Sequence, residues 1–166
     1  MKNKLINPCN LTKSPFGGLR MNELVINAEN KIVGRLSSSV AKRLLLGDKI
    51  IIINAEKGII TGDPKSILRK YKGRLQIRTA TAPWKGPLHP RMPDRFLRRI
   101  IRGMLPWDTP RGRKAYKRLK VYMGTPKHLK DVPIESLPKI ECKTIRKKVY
   151  LSEICKEIGW SPSKRE

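Results

Sequence analysis

Four consecutive isoleucines, Ile50 to Ile53, constrain this chain more than any other feature. The run is β-branched, too short for a helix and apolar on both faces, which is how a strand covered on both sides of a parallel sheet reads. A parallel neighbour requires a crossover, usually helical. The chain supplies one immediately upstream. Leu24, Val25 and Ile26 form a first apolar run, then Leu36, Val40 and Leu44 recur at helical spacing with Ala41 and Leu45 beside them, and Gly47 provides the stop. The segment therefore predicts a βαβ unit with a right-handed crossover.

Downstream, Asp63 followed by Pro64 predicts an N-cap with proline at the first helical position. That helix should carry Ile67, Leu68 and Tyr71 and end at Gly73, with Arg74 to Thr79 following as a strand or extended strip. From Ala82 to Arg91, Pro83, Pro87 and Pro90 exclude helix and sheet interior, leaving an ordered loop or a partner-bound arm. Val121, Tyr122 and Met123 predict a last strand before Gly124. Ser152, Glu153, Ile154 and Ile158, with Gly159 after them, predict a short capped helix. At 166 residues, one domain is the expectation.

The charge is unevenly spread. The chain has 38 Lys and Arg against 13 Asp and Glu, a formal net charge of +25. Residues 21–64 are nearly neutral, with six basic and five acidic side chains, whereas residues 65–130 carry twenty basic side chains against only Asp94 and Asp108. One half folds and the other half waits for an anion. A pI near 10.6 is in the range of nucleic-acid-binding domains.

The segment opening at Pro93 is the most informative. Leu97, Ile100, Ile101 and Met104 make an apolar stripe for the core, and Arg95, Arg98, Arg99 and Arg102 repeat that spacing two residues out of phase, on the opposite side of a helix. A surface helix with no role would intersperse carboxylates for i,i+4 pairs. This one has only Asp94, at its first turn, where it suits the helix dipole. Arginine favours phosphate, since its planar fork donates two parallel hydrogen bonds. Thr109 and Pro110 start a second basic helix bearing Arg111, Arg113, Lys114, Lys117 and Arg118, with Ala115 and Leu119 facing inward.

With Lys72, Arg74, Arg78, Lys85, His89, Arg91 and Lys120, these arginines and lysines form the expected RNA-binding set. A patch of this kind suits folded RNA better than a linear strand. Trp84, in the proline-rich basic loop, is the best candidate to stack on an unpaired base; Trp107 and Tyr116 read as packing residues.

Other classes find little support. Cys9, Cys142 and Cys155 are scattered, and with His89 and His128 they offer no metal-site spacing, so no metal or cofactor is expected. There is no P-loop, no G-x-G-x-x-G, no nucleophile elbow and no His-Glu-x-x-His, and the basic half lacks the carboxylates of a metal-dependent nuclease. Neither an enzyme nor a small-molecule substrate is expected. The sequence shows no membrane-spanning apolar stretch or cleavable leader, so the expectation is a soluble cytoplasmic protein without membrane partners.

Several motifs in order resemble the large-subunit ribosomal protein family L-thirteen. Gly34-Arg35-Leu36-Ser37-Ser38 with Val40-Ala41-Lys42 and Leu44-Leu45 resembles its first helix, and Asn54-Ala55-Glu56 with Ile60-Thr61-Gly62 its strand and turn. Arg102-Gly103-Met104-Leu105-Pro106, Arg111-Gly112 and Arg118-Leu119-Lys120-Val121-Tyr122 are similar to its most distinctive motif. Trp84-Lys85-Gly86-Pro87, His89-Pro90-Arg91, Pro93 and Gly124-Thr125-Pro126 resemble the archaeal and eukaryotic form, and residues 151–160 the archaeal one.

The resemblance covers roughly residues 21–126. It implies a three-layer α/β/α fold with a mostly parallel central sheet, lodged against large-subunit rRNA and neighbouring ribosomal proteins, early in subunit assembly and without catalysis. The expected organisation is a basic extension at residues 1–20, an α/β core at 21–130 whose RNA-binding half begins near 65, and a C-terminal extension with a short helix at 131–166. The rival reading is an RNA-binding regulator acting off the ribosome.

Overall fold

The computed structural model describes residues 23–126, 129, 133–135 and 147–162. Strand β1 (Glu23–Asn27), helix α1 (Val33–Leu46) and strand β2 (Lys49–Ile53) form the expected βαβ unit, with β1 and β2 parallel and Val25 beside Ile51. All four isoleucines of β2 are buried. Strand β4 (Leu119–Val121) pairs parallel on the other side, giving the order β1-β2-β4, while β3 (Ile59–Thr61) pairs antiparallel with β5 (Lys148–Tyr150) in a separate ribbon.

Alternation along β2 divides the interior in two. Ile50 and Ile52, with Ile26, Leu119 and Val121, face a large core that includes α1, α3 (Pro93–Gly103), α4 (Pro110–Lys117) and α5 (Leu151–Glu157). Helix α2 (Pro64–Gln76) lies against that core through Ile67, Leu68, Tyr71 and Leu75 but has no fully buried residue. Ile51 and Ile53, with Val25, face a smaller cluster completed by Leu129 and Tyr122. The α/β class and the mostly parallel sheet are as expected. Among the described residues, the second face is covered by this smaller cluster and by no α-helix.

Local chemistry explains the boundaries. Helix α1 ends at Gly47, whose φ of 115° lets its N–H and that of Asp48 turn back onto the carbonyls of Leu44 and Arg43. Asp63 caps α2 by accepting from Ser66 N at 3.2 Å, and the hydroxyl of Thr109 caps α4 by accepting from Gly112 N at 3.3 Å. In α5 the N-cap is Tyr150 rather than Ser152, and Glu153 folds back to accept from Tyr150 N.

Three expectations are corrected. Helix α2 continues through Gly73 to Gln76, so Arg74 to Gln76 are helical and not strand. Leu75 extends the Ile67-Leu68-Tyr71 stripe by one more turn, outweighing a glycine penalty of about 1 kcal/mol. The strand expected at Val121 to Met123 begins at Leu119, is not the last, and Tyr122 only closes it by donating to Ile52 O, because β2 ends where Asn54 turns left-handed at φ 54°. In α3 the buried stripe is Pro93, Phe96, Leu97 and Ile101; Ile100 is half-buried and Met104, beyond the helix end, is 41% exposed.

The C-terminal segment is part of the main core. β5 aligns on β3, Leu151 N donates to Gly58 O at 2.8 Å, and Leu151, Ile154 and Cys155 pack in the large cluster. At the far edge of the sheet, Ile134 bridges to Val25, and Arg43 pairs with Glu135 at 2.7 Å.

One close approach fixes α4. A Cβ on Gly112 would run into the carbonyl of Pro106, so only glycine lets the helix seat against the turn that follows α3. Gly112→Ala should destabilise the fold by about 1–3 kcal/mol through overpacking, read by urea denaturation. The same change at Gly34, where a Cβ meets nothing within 4 Å, should match or exceed the parent stability.

Candidate nucleic-acid interface

Helix α3 turns one face to the core and the other to a groove. Pro93, Phe96, Leu97 and Ile101 fill the inner side. On the outer side Arg95, Arg98, Arg99 and Arg102 meet the loop from Leu88 to Met92, which adds His89 and Arg91. The resulting groove holds about 630 Å³, and among the described residues no carboxylate lines it. The predicted arginine face is therefore a recess with five guanidiniums rather than an open surface stripe.

These arginines are not equivalent. The Arg98 guanidinium lies 5.0 Å from the centre of the Tyr116 ring and that of Arg102 lies 3.9 Å from the Trp107 ring, while the two rings pack edge to face at 5.2 Å. Tyr116 and Trp107 are packing residues, as expected, but they also hold two arginines in place by cation–π attraction. Nε of Arg98 is buried without a hydrogen-bond partner among the described residues. Arg95 and Arg99 are exposed and belong to none of the ion pairs among the described residues.

Helix α4 contributes in two ways. Arg118 donates from Nη2 to Leu44 O at 2.7 Å, and Arg111 reaches Leu45 O at 3.4 Å. Both meet the carbonyl end of α1, where a cation also suits the helix dipole. Arg113 donates to Trp107 O at 3.2 Å. Lys114 and Lys117 are exposed with no ion pair among the described residues. Sequence alone groups these five together; the structure separates three that brace the fold from two that face solvent.

The remaining expected residues scatter. Lys72 pairs with Glu157 at 2.7 Å and ties α2 to α5, and this contact holds the Glu157 carboxyl below the ordinary carboxylate range. Arg74 lies over the Tyr71 ring at 5.4 Å. Trp84 is 76% exposed in a short 3-10 turn, Pro83–Lys85, beside exposed Lys85. Arg78 borders a small recess of about 210 Å³ under the same loop, with His89 and Arg91. Lys120 is the exception in direction: it pairs in register with Ile51, so it faces the side of the sheet away from α3 and α4.

Sequence reasoning missed the aromatic seats of Arg98 and Arg102, because pairing Trp107 and Tyr116 with α3 depends on how the 104–109 turn folds back. It also missed Tyr71 and Phe96, which pack edge to face at 5.0 Å across α2 and α3. Burial pushes the Tyr71 phenol up and the Cys155 thiol up to about 12, with Asp94 nearby adding to the latter. Among the described residues no group of three His, Cys, Asp or Glu could hold a metal ion, and no helix is long and apolar enough to cross a membrane.

A recess crowded with guanidiniums, two of them pre-set on aromatic rings, can neutralise several closely spaced anionic oxygens at once. On an α/β core with a parallel sheet, it defines a basic protein suited to holding a polyanion. Comparison with known proteins narrows this class. The family model for ribosomal protein L13 matches residues 21–128. The "Large ribosomal subunit protein uL13" of Methanopyrus kandleri is 45% identical over 140 residues, covering 82% of this chain and 86% of that protein. The proteins of the same name from Archaeoglobus fulgidus (42% identical; 82% of this chain, 87% of that protein) and Methanocaldococcus jannaschii (50% identical; 63% and 77%) are also similar. The chain belongs to the ribosomal protein L13 family.

Two results test the division of labour. Arg118→Met should lower stability by about 1–2 kcal/mol by removing a charged hydrogen bond from the end of α1, whereas Arg99→Glu should leave the melting temperature nearly unchanged; thermal melts of both check this. For Cys155, thiolate formation is suppressed in the fold, so iodoacetamide at pH 8 should spare it in native protein and label it in urea, read by peptide mass spectrometry. The sign for stability follows: the contribution of the neutral thiol is full below the ordinary thiol pKa of 9.0 and is lost as pH rises toward about 12.

Proposed function

We propose that this chain is a structural constituent of the large ribosomal subunit that binds and stabilises large-subunit rRNA during assembly and translation. The observation that carries the reading is the groove of Arg91, Arg95, Arg98, Arg99 and Arg102, with no carboxylate among its described lining residues, on a chain of this family. Its relatives bear the name of a large-subunit protein, and the excess of basic side chains needs a polyanion to offset it. The work is done in the cytoplasm, beside neighbouring ribosomal proteins, without catalysis and without cofactor.

Within the RNA-binding set, Arg95, Arg99, Lys114 and Lys117 take phosphates as mobile cations, and Arg98 and Arg102 do so from fixed positions. Arg91, His89, Trp84, Lys85, Arg78, Arg74 and Lys72 extend the contact along the loop and α2. Arg111, Arg113 and Arg118 serve the interface mainly by bracing α4, and Lys120 meets RNA only on the opposite side of the sheet. The functional division is a basic extension at 1–20, the core at 21–130 with its binding half from about 65, and the extension at 131–166.

Tagged protein from a lysate should sediment with the large subunit at moderate salt and remain there after the subunits are dissociated. Sedimentation as free protein, with none in the large-subunit peak, would overturn the reading. With about ten phosphates contacted, log affinity for rRNA should fall against log salt with a slope of roughly −7 to −9. A double change, Arg95→Glu with Arg99→Glu, should impair incorporation without unfolding the protein. It spares Arg98 and Arg102, which hold Tyr116 and Trp107.

A further inference from the structure

Beside the arginine groove lies a second cavity of different character. It holds about 350 Å³ between α2, α3 and the end of α5, with Tyr71, Leu75, Phe96, Ile100 and Ile158 in its wall. Its remaining lining includes Arg74 and Arg99, both exposed, and His89, half-buried; among the described residues no carboxylate lines it. His89, Pro90 and Arg99 line the arginine groove as well, so the two spaces share a wall. An apolar hole thus opens next to a row of cations.

We propose that this cavity receives one unstacked nucleobase of the bound RNA, while the phosphates on either side of that nucleotide rest on Arg74 and in the arginine groove. The inference depends on the reading of the chain as an RNA-binding protein and specifies which part of the RNA the site takes. Size, shape and charge support it. The volume is near the lower end of the roughly 300–1,000 Å³ of small-ligand pockets, room for a ring system and its sugar but not for a partner helix. Leu75 and Ile100 present apolar surface from facing helices, as a planar base requires, and the Tyr71 phenol offers a polar group within the wall.

The cationic rim separates this occupant from an apolar side chain of a protein neighbour. Docking a protein there would cover Arg74 and Arg99 without neutralising them, at a desolvation cost. A nucleotide brings its own anions to both. Unpaired bases splayed from RNA and stacked or packed on protein side chains are the usual way single-stranded RNA is held.

The test uses the full chain and two single-stranded probes of equal charge, an eight-nucleotide adenine RNA and its abasic counterpart, at one fixed salt concentration. Native protein should bind the adenine strand at least about tenfold more tightly, the range expected for one base held against side chains. Gly103→Phe should erase most of that preference without weakening binding to the abasic strand, because residue 103 borders the cavity and its Cβ would meet nothing within 4 Å. Ile100→Trp, which fills the hole from another wall, should do the same, with thermal melts confirming that both variants fold.

Equal affinities of native protein for the two strands would overturn the inference and leave the cavity to a protein side chain, while the RNA-binding reading would stand. A preference that survives both filling variants but disappears in Trp84→Ala would overturn it in favour of stacking on Trp84. Failure to bind either strand would overturn the RNA-binding reading, and this inference with it.

Discussion

Everything in this protein hangs on β2 being sealed on four sides. Its edges are occupied by parallel β1 and β4, and its faces are covered by two separate apolar clusters. A five-residue strand achieves this only because its last four residues are isoleucines, able to pack whichever way they point. Parallel neighbours force the chain out and back between strands. The long excursion between β2 and β4 is where α2, the proline-rich loop, α3 and α4 are threaded. The binding face is therefore built from the crossover, which the sheet orders but does not itself contain.

The crossover's charge is made tolerable by local means. Arg118 and Arg111 spend their cations on the carbonyl end of α1, and Arg98 and Arg102 lean on Tyr116 and Trp107. Lys72 finds Glu157. Only after these are accounted for does a smaller group, with Arg95 and Arg99 at its centre, face outward without a partner among the described residues. The distinction separates cations held in place by the fold from cations free to adjust to a ligand.

Much of this was legible in the sequence, for identifiable reasons. The βαβ unit could be read because Ile50 to Ile53 and the Leu36-Val40-Leu44 stripe obey local periodicities that the tertiary structure has no cause to override. The two faces of α3 could be read for the same reason. The end of α2 could not, because Gly73 looks like a stop and only the packing of Leu75 shows that the helix runs on. Nor could the partition of the arginines be read: whether Arg118 meets solvent or the end of α1 depends on residues 74 positions apart in sequence. The pairing of β5 with β3 is likewise a long-range choice, carried by Val149 and Ile60, that no short window of sequence contains. The apolar cavity belongs to no single element and has no sequence signature at all.

The bare arginine face has one further consequence, for how electrolyte acts on the free protein. Several guanidiniums crowded along one groove, with no carboxylate among the described residues that line it, repel one another, and dissolved ions relieve that repulsion. The same ions compete with any polyanion for the same groups. Salt therefore works in opposite senses on the two states, favouring the compact solitary chain while loosening its complex. A molecule arranged in this way is least at ease alone in dilute buffer, and is relieved either by a crowd of small ions or by one large partner.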